Sequence, residues 1–136
     1  MLEKYVKDEL IFKRCKYVVE EIKRLQIACE DLKNGAMQDF GKKMFATHEG
    51  LKNLYEVSCT ELDVLVDAVK NNEDVLGARL MGGGFGGCTI NLVKEEAAEE
   101  IIQQTTEKYK QQTGRDLTTY RVAIKNGTTV LDENNI

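Results

Sequence analysis

Gly77-Ala78-Arg79-Leu80-Met81-Gly82-Gly83-Gly84-Phe85-Gly86-Gly87-Cys88-Thr89 sets five glycines in six positions around Phe85, with Gly77 just upstream. Each glycine weakens local order by roughly 0.5–1 kcal/mol relative to alanine, so this density calls for a main chain that takes positive φ or comes very close to something. A bare main chain with its N–H groups turned inward makes an anion nest, whereas an ordinary hairpin turn needs only one or two glycines. On either side the apolar residues alternate, Ala78 and Leu80 before the loop, Cys88, Ile90 and Leu92 after it. That period of two predicts two short antiparallel strands joined by six residues of loop.

Familiar glycine motifs fail on context. Gly82, Gly84 and Gly87 spell G-x-G-x-x-G, but the dinucleotide fingerprint must run from a strand into a helix, and Cys88 to Val93 reads as a strand. No Gly-Lys-Ser/Thr follows, which removes the P-loop. Protein kinases do join two strands through glycines, and Asp39-Phe40-Gly41 and Val122-Ala123-Ile124-Lys125 match their motifs by letter. The order is wrong, however, no His-Arg-Asp exists, and the chain is about half the needed length. A KH domain needs its GxxG between helices.

Upstream of the loop the period is helical. Ile11, Cys15, Val18, Ile22, Leu25, Cys29 and Leu32 follow a 4,3,4,3 spacing that predicts one long helix starting almost at Met1, with this stripe turned to the core. Asn34-Gly35 stops it, and Met37, Phe40, Met44, His48, Leu51 and Tyr55 form the stripe of a second helix. Ser58-Cys59-Thr60-Glu61 reads as a capping box opening a third, with Leu62, Leu65, Val66 and Val69 inward and Asn71-Asn72 as its end. Downstream, Lys94 to Gln112 reads as a fourth helix whose early glutamates suit the positive end of its dipole. Tyr120, Val122 and Ile124 alternate as a third strand, and Asn126-Gly127 signals a turn into Thr128–Leu131, with a frayed tail after Asp132.

The 136 residues, 42% hydrophobic and 31% charged, fit one globular domain with enough chain for an ordinary core. Twenty-three carboxylates against 19 Lys and Arg, a formal net charge of −4, argue against a nucleic-acid partner, which requires a basic surface. Cys15, Cys29, Cys59 and Cys88 make no CxxC, and the lone histidine stands beside none of them, so no zinc spacing exists. No leader-like or membrane-spanning stretch is present, and a soluble, reducing, cytoplasmic setting is expected.

Among single residues, His48 invites a general-base role but lies on an apolar stripe, which favours a packed structural histidine. Cys88 is read first as a small core hydrophobe beside the loop. Arg79, opposite Leu80, either orients the loop, reaches a phosphate or makes an ion pair. Glu56, Glu61 and Asp63 read as cap and solvated helix face. The helices outnumber the strands available to cover them, which suggests a piece of a longer chain.

The Gly77–Thr89 stretch closely resembles the third signature motif of the GHMP small-molecule kinases, in its galactokinase form. Phe40-Gly41, His48, Tyr17-Val18-Val19-Glu20 and Tyr55-Glu56-Val57-Ser58-Cys59-Thr60-Glu61-Leu62-Asp63 resemble the same family, from about residue 10 to 130. Thr60, Tyr17 and Met81 depart from it, standing where proline, histidine and threonine are usual. The resemblance implies an α+β fold over residues 1–136, a ferredoxin-like C-terminal domain with helices on one face of a small, mainly antiparallel sheet. It implies a parent enzyme that moves the γ-phosphoryl of ATP, with magnesium, onto the 1-hydroxyl of galactose. The sugar-binding, magnesium-binding and phosphate-loop residues belong to the family's N-terminal domain, so no catalytic residue, metal or bound cofactor is expected in this chain. Gly82, Gly83, Gly84, Phe85, Gly86 and Gly87 would close over the nucleotide and sugar, with Phe85 as anchor and Arg79, Cys88 and Thr89 as support. The expected partners are the N-terminal domain, ATP and galactose, with neither nucleic acid nor membrane, and surplus apolar surface would promote self-association. The alternative is a free-standing α+β regulatory module that binds an anionic ligand at the glycine loop.

Overall fold

The computed structural model describes residues 2–123. A short helix α1 (Leu2–Tyr5) is followed by α2 (Glu9–Lys33), α3 (Met37–Gly50) with a π turn at Leu51–Tyr55, α4 (Thr60–Val69), β1 (Val75–Met81), β2 (Cys88–Val93), and α5 (Ala98–Thr113), which a 3-10 turn at Glu95–Ala97 introduces. The expected order of helices, strand, loop, strand and helix is the observed one. The first helix does not run unbroken from the start, because the Asp8 carboxylate accepts a hydrogen bond from the Ile11 N–H at 2.9 Å and opens α2 afresh.

Two sequence expectations change on the helices. The apolar stripe of α2 is not core: Ile11, Val18, Ile22, Leu25 and Leu32 are all exposed. α2 meets α3 through a neighbouring stripe, where Tyr17 and Ala28 are buried. Thr47 Oγ1 donates to Glu21 at 2.7 Å, and Lys43 pairs with Asp31 at 2.5 Å. The edge of the Tyr17 ring lies against Gly50, where a Cβ would stand 2.6 Å from Cε2, and the ring packs tilted by 35° on Tyr55 at 5.2 Å between centroids. Burial pushes its phenol up to about 12. The apolar stripe then faces a side that no other described residue covers. The capping box also fails to form: Cys59 is the N-cap of α4, and the Ser58 hydroxyl donates instead to Asp63 Oδ1 at 2.6 Å.

The core gathers Val66 and Val69 of α4, Val75 and Ala78 of β1 and Ile101 of α5. Burying each of the valine and isoleucine side chains contributes roughly 1.5–3 kcal/mol. β1 and β2 pair antiparallel from Met81↔Cys88 to Val75↔Val93, with an irregularity between Val75 and Gly77. Beside it α3 crosses β1 in direct main-chain contact. A Cβ on Gly41 would stand 1.9 Å from the Leu76 carbonyl oxygen, and one on Gly77 would stand 2.6 Å from Gly41 Cα. The contact explains a glycine inside a helix, which costs about 1 kcal/mol against alanine and needs a reason.

Higher on the same crossing, the Leu80 N–H donates to His48 Nδ1 at 3.2 Å, so the proton of the imidazole sits on Nε2, 3.4 Å from Asp63. His48 is 1% exposed, as the apolar stripe implied, and this burial lowers its pKa against the opposing pull of Asp63. Expectation and structure part again after α5, which Gly114 ends in a left-handed conformation. Residues 115–123 form neither helix nor strand, and Tyr120 and Val122 are exposed. Alternation supplies a face but not a partner, and neither described strand pairs with this stretch. Ile124, Asn126-Gly127 and Thr128–Leu131 lie outside the described residues.

Gly77→Val is expected to leave the chain unfolded or to cost more than ~4 kcal/mol, whereas Gly83→Ala, which meets nothing within 4 Å, should stay within ~0.5 kcal/mol in thermal melts. Equal melts would refute the crossing. A second expectation concerns acid. His48 has a folded pKa below its ordinary 6.5, so the unfolded chain binds the extra proton first as pH drops. Its contribution is complete above about pH 6.5 and is lost as pH falls towards the depressed folded value. Urea midpoints should therefore decline from pH 7.5 to 5.5 in the native chain, and less so in His48→Gln; identical declines would contradict this.

Candidate functional site

The glycine loop leaves β1 at Met81 and rejoins β2 at Cys88. Gly82, Gly84, Gly86 and Gly87 all take positive φ, and Phe85 does so at +58° without being glycine. What holds Phe85 there is main chain: its N–H donates to the Val57 carbonyl at 2.7 Å. Gly84 makes that seat possible, since a Cβ on it would stand 2.1 Å from the same oxygen. The Phe85 ring is 77% exposed, and the contact that fixes the residue is made by its backbone.

The seat is itself clamped from α2. Glu56, in a left-handed conformation at φ 59°, closes the π turn. Its carboxylate pairs with Lys13 and Arg14 at 2.5 Å each, while Arg14 also donates to the Leu54 carbonyl. The hydrogen bonds from these two cations hold the Glu56 carboxyl down at about 2. A continuous path therefore runs from α2 through Glu56 and the Val57 carbonyl to the loop tip. Sequence reading missed it, because a main-chain acceptor leaves no side-chain signature.

The loop's other side is open. Among the described residues no atom stands within 4 Å of a Cβ placed on Gly82, Gly83, Gly86 or Gly87. Chemically, the loop can offer main-chain N–H donors to an anion and can admit a group that side chains would exclude.

Of the remaining candidates, Arg79 is half-buried at the end of β1 and donates from Nη1 to the Leu80 carbonyl at 3.1 Å. Thr89 is half-buried and accepts from Asn91 at 3.4 Å. Cys88 is exposed, not a core hydrophobe: it is the first residue of β2, at the rim of the loop. Glu56, Glu61 and Asp63 do not converge. Glu61 serves the start of α4, where the N–H of its own residue and the Cys59 side chain lower its pKa. Asp63 receives Ser58 and pairs with Lys52 at 3.1 Å. Among the described residues no three His, Cys, Asp or Glu side chains are placed to share a metal ion. Among them, too, no helix is long and apolar enough to cross a membrane.

In sequence and fold the chain is similar to known proteins. Residues 28–111 match the family model described as GHMP kinases C terminal. The galactokinase of Thermotoga petrophila is 43% identical over 115 residues, covering 85% of this chain and 33% of that protein. That of Bos taurus is 44% identical over 98 residues, covering 72% and 25%. The crystal structure of Lactococcus lactis galactokinase complexed with galactose superposes with a TM-score of 0.81 at 33% identity, over 85% of this chain and 30% of that one. L. major mevalonate kinase in complex with R-mevalonate gives 0.57 at 29% identity, over 63% and 26%. The chain thus spans about a third of the length of the curated relatives it matches. It belongs to the GHMP kinases, of which it holds the C-terminal region in the form that galactokinases carry.

Proposed function

We propose that this chain works as the C-terminal part of a cytoplasmic galactokinase, its glycine loop closing one side of a site that the rest of the enzyme completes. In the reaction the 1-hydroxyl of galactose attacks the γ-phosphorus of ATP, loses its proton, and ADP leaves. Such transfers rest on positioning and charge stabilisation rather than on covalent chemistry by the protein. The present residues supply a positioned glycine wall from which the Phe85 ring alone projects. The carboxylates and the magnesium-nucleotide complex would be handled by the rest of the enzyme, while Glu56 and Asp63 here are taken up in ion pairs within this chain.

The observation that carries this reading is the asymmetry of the loop. Gly84 is accounted for by the Val57 carbonyl, but Gly83 has neither positive φ nor any neighbour that a Cβ would touch. Its bareness has no use within the described residues, which is what a surface shaped for a group from outside would show. The α2 stripe supports the same conclusion. Ile11, Cys15, Val18, Ile22, Leu25, Cys29 and Leu32 keep a seven-residue repeat, the pattern of a seam against another helix, yet Ile22 is 55% and Leu25 63% exposed. Most of that seam precedes residue 28, where the family match begins, and the natural cover is the upstream part of the kinase.

Calorimetric titration of the chain with ATP, galactose and both together is expected to be silent in the micromolar range, because a half-site lacks most of its contacts. Saturable micromolar binding would instead favour a free-standing module that takes an anion at the loop. The uncovered seam also has a consequence in solution. Near millimolar concentration the chain should dimerise or aggregate in light scattering, and Ile22→Lys/Leu25→Lys should restore monomers. A monodisperse native chain would contradict the seam.

A further inference from the structure

α2, α3 and β1 enclose a cleft of about 200 Å³, whose charged lining is Glu21, Arg24, Lys43 and Arg79, with Leu25 and Met44 on the apolar side. Two of its three cations are matched. Arg24 pairs with Glu21, whose other oxygen accepts from Thr47, and Lys43 pairs with Asp31. Arg79 differs: among the described residues its hydrogen bond goes to a neutral acceptor, the Leu80 carbonyl, and no carboxylate stands within ion-pair distance. A guanidinium carries five N–H donors in a rigid fork and does not lose its charge. Half-buried in a cleft beside two further cations, it leaves one positive charge and most of its donors unmatched.

We infer that this cleft is an oxyanion site, with Arg79 as the bidentate anchor and Arg24 and Lys43 as flanking charges. Its volume lies below the ~300–1,000 Å³ of pockets that enclose drug-sized ligands, so it takes a single phosphate or carboxylate group rather than a whole nucleotide. Occupancy would brace β1 one residue before the Leu80 N–H that binds His48 and three before the glycine loop. The site does not depend on the kinase reading, because all of its named groups lie in this chain.

The test is titration of the isotopically labelled chain with inorganic phosphate and, separately, acetate at constant ionic strength, followed by NMR at the Arg79 Nε–H and the Leu80 amide. Saturable shifts at millimolar concentration are expected, abolished by Arg79→Gln and retained by Lys23→Gln, a change of equal charge on the exposed side of α2. Arg79→Lys, which keeps the charge and loses the fork, should weaken binding at least threefold, and it decides the matter if Arg79→Gln does not fold. Tighter binding of phosphate or of acetate assigns the group within the oxyanion class. Non-saturating shifts, or equal affinity in the native and Arg79→Lys chains, would overturn the site.

Discussion

Main chain against main chain, at the crossing of Gly41 and Gly77, is the constraint from which the rest of this architecture follows. With no Cβ at either position, α3 lies directly on β1. The same crossing brings His48 to the Leu80 N–H and sets Met44 and Thr47 beside Arg79. A larger residue at either glycine would force the helix off the strand, and the histidine, the arginine cleft and the root of the glycine loop would lose their common reference.

From that root the loop is set by a second main-chain contact, Phe85 on the Val57 carbonyl, and the carbonyl is held by ion pairs reaching from α2 to Glu56. Exposed ion pairs taken singly contribute little, about 0–1 kcal/mol. Here their value is geometric, since Lys13 and Arg14 fix the turn whose carbonyl the loop needs. One side of the loop is therefore seated on the Val57 carbonyl, and on the other, among the described residues, no atom stands within 4 Å of a Cβ placed on Gly82, Gly83, Gly86 or Gly87. For the C-terminal region of a GHMP kinase, that division suits a wall presented to a reaction centre assembled from elsewhere.

Much of this was legible in local pattern. The stripes of α3 and α4, the stop at Gly114 and the places of β1 and β2 depend on near neighbours, and the structure has them there, although in β2 it is Val93 that packs on the core while Cys88 is exposed. The glycine density likewise marked the loop before any geometry was known. What escaped was long-range. Gly41 looks like a blemish in a helix until Leu76 is placed against it. The seat at Val57 uses a backbone oxygen that every residue type possesses. The α2 stripe shows which side chains are apolar, but burial depends on what stands opposite, and in the described residues α3 meets the adjoining face instead. Ser58 could cap α4 by spacing alone, yet Asp63 offered its hydroxyl an ionised acceptor.

The half-site reading is open to one direct measurement, a coupled assay of galactose-dependent ADP release by the purified chain, alone and mixed with the upstream two thirds of a galactokinase such as that of Thermotoga petrophila. The chain alone should be inert, and the mixture should turn over galactose once the two pieces associate. Phosphorylation of the sugar by the chain by itself at ordinary enzymic rates, or an associated mixture without activity, would contradict it.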